Sequence, residues 1–338
     1  MSKPIVTGLL AYGMSGRIFH APFLTANPGF KLKAVVERNE KKCATRYPDI
    51  VSYNSVDVLL SDNEIELVVV NTPSFTHYEL AMHALNAGKH VLIEKPIAST
   101  GMQVKALYDL ARKVNKQVMV YQNRRWDSDF LSVKQIIESG KLGELIEVHF
   151  RYDRYKPLLS PKKFKEEKGV PASGLVYDLG PHLIDGIISL FGKPLTFTKA
   201  TAIHRDDSVV IDYFNFHLSY PNQLNVYITS GLLIADTLPA FVVHGKLGSF
   251  VKTRCDVQEP QLDAAMLPTD AAYGVEPENC EGRLVLMDVD ANKTTSLIKS
   301  PKGNYAALFD AVYHTIRENA LYPITEEHIA WQMELLEA

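Results

Sequence analysis

Two short segments carry side chains of the types and spacings that proton transfer requires. In Glu94-Lys95-Pro96 a lysine directly follows the apolar run His90–Ile93. An ammonium group at such a strand end can donate to a substrate hydroxyl and stabilise the alkoxide as its proton leaves. The bland alternative is a surface lysine before a turn proline. The second segment runs from Gly174 through Tyr177-Asp178-Leu179-Gly180-Pro181-His182 to Asp185. Proline is preferred in the first turn of a helix, so the segment predicts a helix starting near Pro181 with His182 in that turn. A positive helix end favours neutral imidazole, which is what a general base needs near neutral pH. Asp178, just before the helix, is placed to orient His182 or share its proton, and Asp185 is its neighbour three residues on. The alternative is a buried capping histidine with two structural carboxylates. Asp and His at this spacing also suit a metal, but no third nitrogen or sulfur ligand is indicated, so no metal is expected.

A candidate phosphate-binding turn is Ala11-Tyr12-Gly13-Met14-Ser15-Gly16, between the first apolar run and the first helical pattern, with an ordinary glycine-containing βα turn as the alternative. Backbone N–H groups and a helix N-terminus there can hold a pyrophosphate. The spacing is that of G-x-G-x-x-G with Ala11 at the first glycine, which is tolerable if its φ stays negative. Glu37 closes the second strand about 20 residues on, where an acid hydrogen-bonds the adenosine ribose. A carboxylate would repel a 2′-phosphate, so Glu37 leans the cofactor toward NAD over NADP. The adjacent Arg38 could bind that phosphate or stack on adenine, or be one half of a solvated charge pair.

These residues need positioning elements, and the first third of the chain supplies them. Apolar runs at Ile5–Leu10, Leu32–Val36, Leu67–Val70, His90–Ile93 and Gln117–Tyr121 alternate with helical stretches. That is the pattern of an α/β, doubly wound parallel sheet buried on both faces. From Asn123 strands follow one another without intervening helices, near Glu144–Tyr152, Thr196–His204, Tyr213–Ser219, Leu224–Thr229, Phe241–His244 and Leu284–Asp288. An α+β domain with an antiparallel sheet is predicted, with helices near Ser128–Ser139, Tyr305–Arg317 and Glu326–Leu336. The predicted boundary separates 1–122 from 123–338. The segment Glu259–Glu281 reads as a long loop and the mixed-charge run Lys162–Lys168 as a solvated face. A length of 338 residues suits two domains. Hydrophobic residues make up 46% and charged residues 22%, which excludes disordered and collagen-like classes. The balance of 36 basic and 39 acidic residues offers no general attraction for nucleic acid or an anionic membrane. Cys43, Cys255 and Cys280 are too few and too scattered for a disulfide frame. No apolar run approaches the roughly 18 residues of a membrane span. The start, Met1-Ser2-Lys3-Pro4-Ile5-Val6, enters the glycine turn and not a cleavage region, so a cytoplasmic location is expected.

With these residues assembled, the chain resembles the Gfo/Idh/MocA family of glucose–fructose oxidoreductase, inositol dehydrogenase and their relatives. The likeness runs nearly end to end: the turn Ala11–Gly16, Asn71-Thr72-Pro73 with His77 and Glu79, Ala87-Gly88-Lys89-His90-Val91, Glu94-Lys95-Pro96, and Asp178 through Asp185. Phe19-His20-Ala21-Pro22, Tyr121–Asp127 and Tyr177–His182 are similar to the branch with bacterial scyllo-inositol dehydrogenases. The resemblance implies an N-terminal Rossmann domain and a C-terminal domain on an open sheet whose outer face often makes an oligomer interface, hence a homodimer or homotetramer. It implies Lys95, Asp178 and His182 as the catalytic group. Asn71, Thr72, Pro73 and His77 would line the nicotinamide end with Glu94 beside it, and Lys95–Pro96 would be cis.

The expected activity is reversible hydride transfer between a secondary alcohol of a polyol, inositol or sugar and NAD or NADP. His182 is the expected base, Lys95 steadies the oxygen, and Asp178 orients the imidazole. Arg124, Arg125, Tyr152, Arg154, Tyr155 and Asp185 are candidates for substrate hydroxyls, with ordinary charge pairing as the alternative for the arginines. Rival readings are a sugar-responsive regulator that binds dinucleotide without turnover, and an elimination or glycosidase reaction assisted by NAD.

Overall fold

The computed structural model describes residues 3–338, so the first two residues of the opening segment lie outside the described residues. Six parallel strands form the first sheet: β1 (Ile5–Leu9), β2 (Phe30–Val36), β3 (Val51–Tyr53), β4 (Leu67–Val70), β5 (His90–Glu94) and β6 (Val118–Tyr121), in the order β3-β2-β1-β4-β5-β6. Every residue of β1 and β4 is buried, as expected of parallel strands covered on both faces. Helices α1 (Ala21–Ala26), α2 (Cys43–Arg46), α3 (Val56–Leu60), α4 (His77–Asn86) and α5 (Gly101–Lys113) make the crossovers. Strand order reverses between β1 and β4, which opens a ligand crevice beyond their carboxyl ends.

The second sheet has eight strands: β7 (Leu145–Arg151), β8 (Thr196–Ala202), β9 (Tyr213–Ser219), β10 (Asn225–Gly231), β11 (Phe241–Gly245), β12 (Gly248–Lys252), β13 (Gly282–Met287) and β14 (Lys293–Ile298). Their order is β14-β13-β12-β11-β7-β10-β9-β8. Neighbours are antiparallel except β7 and β10, which run parallel. Alternation decides the faces: Val148, Phe150, Phe214, Phe216, Leu218, Val226 and Ile228 are buried, and the residues between them are mostly half-exposed. Against the buried face lie α6 (Ser128–Glu138), packed on β12, and α8 (Gly180–Phe191), packed on β7 and β10. The short α7 (Gly174–Asp178) precedes α8.

Compactness divides the chain into two units. The first runs to Asn123 and takes in Gln258–Tyr273 and Asn304–Ala330; the second holds Arg124–Val257, Gly274–Gly303 and Trp331–Ala338. The sequence pattern places one boundary at 122/123, whereas two later segments group with the first unit. The reason is apolar packing: α10 (Ala306–Glu318) stacks Phe309 on Phe23 at a centroid distance of 5.1 Å. Part of the expected loop Glu259–Glu281 is also helical, as α9 (Gln258–Asp263). The last helix is α11 (Glu326–Glu337).

Candidate active site

The turn after β1 is held by Asn71, just beyond β4. Its side-chain oxygen accepts from the Ala11 N–H at 3.0 Å, and its amide donates to the Ala11 carbonyl at 2.8 Å. This pair bridges the two strand ends that flank the crevice. Ala11 keeps a negative φ, which is why it can replace glycine. Gly16 cannot be replaced so simply, because a Cβ there would lie 2.3 Å from the Ala11 carbonyl oxygen. Gly13 is exposed, and a Cβ would meet nothing within 4 Å. That open space is a cradle in which a pyrophosphate can approach the backbone, so the turn fits a dinucleotide. Met14 is exposed, whereas Tyr12 is buried beside Cys43, and burial pushes its phenol pKa up.

Glu37 does not stand free for a ribose. Its Oε1 accepts from the N–H groups of Lys42 (2.8 Å) and Cys43 (3.2 Å), and its Oε2 from the Ser52 hydroxyl at 2.7 Å. The carboxylate therefore caps the start of α2 and ties it to β3, and few of its lone pairs remain for a ribose. Arg38, next along, is exposed.

At the end of β5, Glu94 Oε1 accepts from the Ser15 hydroxyl at 2.6 Å and lies 3.0 Å from Nε2 of the fully buried His20. Burial acts to raise the Glu94 pKa, but His20, Ser15 and Lys95 outweigh it and hold the group below its ordinary value. His20 escaped the reading from residue chemistry, having no motif spacing of its own to betray it. Lys95 is half-buried, and the Lys95–Pro96 bond is cis. His77, buried, has Nδ1 2.7 Å from the Pro96 carbonyl and Nε2 2.8 Å from the Thr72 carbonyl. It thus straps the turn after Lys95 to the loop after β4. Burial lowers its pKa. The Thr72 hydroxyl meets that of Thr76 at 2.7 Å, while Pro73 is exposed.

In the second unit, Asp178 and His182 lie on an almost continuous helical path. Leu179, between α7 and α8, keeps right-handed helical angles (φ −107°, ψ −26°), and the Leu179 N–H donates to the Leu175 carbonyl at 2.9 Å. Asp178 ends α7, His182 lies in the first turn of α8, and Asp185 is three residues further on α8, on the same face as His182. As expected, α8 starts at Gly180 with Pro181 and His182 in its first turn; the short α7 ends just ahead of it, at Asp178. The path begins at Gly174, whose φ of +78° favours glycine, and a Cβ there would crowd the Ile211 carbonyl oxygen at 3.1 Å. His182 and Asp185 are buried.

The remaining candidates are mostly engaged. Arg125 grips Asp185 with two bonds, Nε to Oδ2 at 2.7 Å and Nη2 to Oδ1 at 2.8 Å. Arg124 reaches Asp127 Oδ2 at 3.2 Å. The ring of Tyr152 carries the Arg254 guanidinium 4.6 Å from its centroid. Arg154 bonds through its backbone to Gly231 and Ile234, and Tyr155 is 61% exposed. Lys165, within the run read as a solvated face, donates to Asp178 Oδ1 at 2.6 Å. No sequence signal separated it from the other lysines of that run.

Comparison with known proteins defines the class. Residues 6–122 match the family model described as an oxidoreductase family with an NAD-binding Rossmann fold, and residues 130–251 match the GFO/IDH/MocA C-terminal domain. The chain belongs to the Gfo/Idh/MocA family and is an NAD(P)-dependent dehydrogenase. It is 38% identical to an oxidoreductase of Schizosaccharomyces pombe over 99% of this chain and 96% of that one. It is 33% identical to scyllo-inositol 2-dehydrogenase (NADP(+)) IolW of Bacillus subtilis over 99% of this chain and 92% of that one. Among solved structures, the oxidoreductase yvaA of Bacillus subtilis superposes with a TM-score of 0.93 at 32% identity, covering 99% of this chain and 94% of that one.

Proposed function

We propose that this enzyme oxidises a secondary alcohol of a neutral polyol, inositol or sugar, reversibly and with NADP. The observation that carries the substrate class is charge pairing: Asp185 is spent on Arg125, Asp127 is shared by Arg124 and Arg254 with Asp129 also on Arg254, and Asp178 is spent on Lys165. Cations already matched by carboxylates suit an uncharged polyhydroxyl ligand better than a sugar acid or phosphate, which would need surplus positive charge. The name of IolW adds support for an inositol. NADP is favoured because Glu37 is consumed within the fold while Arg38 is exposed at the β2 end, and a guanidinium suits a 2′-phosphate.

In this reading His182 accepts the hydroxyl proton as general base. Lys95 donates to the same oxygen and stabilises its developing charge. Asp178 orients the imidazole and supports its cationic form. Residues 11–16 hold the pyrophosphate, with Asn71 keeping their turn in shape. Thr72 and Pro73 flank the nicotinamide, and Arg154, Tyr152 and Tyr155 meet substrate hydroxyls. The bound nicotinamide supplies the two-electron acceptor. Assembly as a homodimer or homotetramer belongs to the same proposal, and light scattering checks it.

The test is a panel of inositols, aldoses and uronic acids with saturating NADP, read by absorbance of the reduced nicotinamide. Neutral polyols should turn over, and Lys95→Ala and His182→Ala should each lose about 100-fold or more in kcat. Wild-type turnover in both variants would overturn the mechanism, and a preference for uronic acids would overturn the substrate class.

A further inference from the structure

We propose that Lys165 is a positioning residue of this reaction: its ammonium group, held by a buried bracket behind the loop, fixes the Asp178 carboxylate and thereby sets the proton affinity of His182. The inference rests on the roles of Asp178 and His182 proposed above.

The bracket is built from the neighbouring residue. Lys165 ends a short 3₁₀ turn, Lys163–Lys165, and contacts Asp178; Glu166 is engaged by a different set of partners. Glu166 Oε1 accepts from the Ser160 N–H at 2.8 Å, and Oε2 accepts from Arg205 Nη2 at 2.8 Å. The Arg205 side chain is only 3% exposed, and its Nε donates to Asp212 Oδ2 at 3.2 Å. Asp212 is in turn fixed by the N–H groups of His204 and Arg205, both at 2.8 Å. Arg205 Nη1 also reaches the Leu158 carbonyl at 3.3 Å. Burying a guanidinium is costly unless carboxylates surround it. A stretch that merely crossed solvent would need no such anchor behind it. Here the anchor grips the residue next to Lys165 and restricts where that ammonium can go.

The consequence for proton transfer follows from charge. Asp178 lies four residues before His182, at the end of the helix that leads into α8, and its carboxylate favours the imidazolium. An ammonium group on that carboxylate offsets part of its field and leaves the imidazole less basic. Other charges nearby are otherwise occupied: Asp185 is paired with Arg125, and the partly buried Tyr177 phenol feels Glu337. Lys165 is a cation in direct contact with Asp178, at 2.6 Å.

The experiment follows the histidine titrations of the full chain by NMR, with the His182 signal assigned through His182→Asn. It adds the pH profile of kcat/KM for scyllo-inositol with NADP. Lys165→Met should raise the His182 pKa by roughly half a unit. The acid limb of the profile should move up in pH by the same amount, kcat should fall about tenfold, and NADPH affinity should stay unchanged. Lys165→Arg should restore both readouts. Glu166→Gln, which weakens the bracket while keeping the ammonium, should give a smaller shift of the same sign. A Lys165→Met protein whose His182 titrates as in wild type would overturn the inference, as would Lys165→Arg shifted as far as Lys165→Met. Asp178→Asn separates the two levels: it should lower the His182 pKa. If it does and Lys165→Met has no effect, only this inference fails. If it does not, the proposed role of Asp178 fails first.

Discussion

The carboxylate of Glu37 accepts from two backbone N–H groups and a serine hydroxyl, and few of its lone pairs remain. Arg38 then becomes the charged side chain at the β2 end with the fewest demands from the fold. A guanidinium–phosphate bond contributes about 1.5–3 kcal/mol. Arg38→Ala should therefore raise KM for NADP by roughly 10- to 100-fold while leaving turnover with NAD nearly unchanged. Equal losses with both cofactors in steady-state assays would remove Arg38 from the phosphate site. Residue types were legible here, but their engagements were not. Nothing in the spacing of Glu37 reveals that Cys43 and Ser52 fold back on it, and nothing in Lys162–Lys168 distinguishes the lysine bound to Asp178. Hydrogen bonds across 13 or 15 residues of sequence are set by tertiary packing, which periodicity does not encode.

At the scale of single elements, two tests probe the framework on which the chemistry stands. Gly16→Ala would place a Cβ 2.3 Å from the Ala11 carbonyl oxygen, so the turn must open and the Asn71 bridge must loosen. NADPH affinity measured by fluorescence titration should drop at least about tenfold, since phosphate binding depends on the turn's backbone geometry. Gly13→Ala, where a Cβ meets no protein atom, should weaken NADPH binding while sparing the melting temperature. Strand β5, which ends at Glu94, begins with His90, whose Nδ1 accepts from the Gln117 N–H at 3.0 Å. Burial pushes the His90 pKa down to about 4. The unfolded chain therefore binds a proton below about pH 6.5 that the folded protein takes up only near pH 4. The stabilising contribution is complete above pH 6.5 and is lost as pH falls from there to 4, on the order of 2 kcal/mol for this partly exposed ring. His90→Asn keeps an acceptor without the titration, so its melting temperature should fall less steeply across that range. Parallel slopes for both proteins would contradict this origin. The long elements were readable because burial on two faces, or alternation on one, leaves a mark in the sequence. The strands β3, β12 and β14 were not: β3 is three residues long, β12 alternates over only five residues that open on a glycine, and all but one residue of β14 is exposed.

For the whole molecule, the chain's return to its first unit matters more than the position of any single boundary. Phe309 is fully buried, stacked on Phe23 and edge-on to Phe30, while Arg317 grips Glu66 with Nη1 to Oε2 and Nη2 to Oε1, both at 2.9 Å. Tyr322 adds a bond from its hydroxyl to the Val120 carbonyl on β6. The parallel sheet thus borrows part of its covering layer from residues more than 200 positions downstream. An amphipathic pattern in 306–318 announces a helix with one apolar face, yet it does not say which sheet that face will cover. The doubly wound domain was therefore legible as a topology and not as an independent folding unit. Deleting the Phe309 ring should cost about 3–5 kcal/mol in chemical denaturation, the usual range for emptying an aromatic site in a core. A chain ending at residue 122 would leave Phe23, Phe30 and the Val120 carbonyl uncovered and should melt without a cooperative transition. Joining residues 304–330 to it through a flexible linker should restore one. Cooperative melting of the 1–122 chain at the temperature of the joined form would show that the helix is an ornament on a self-sufficient domain.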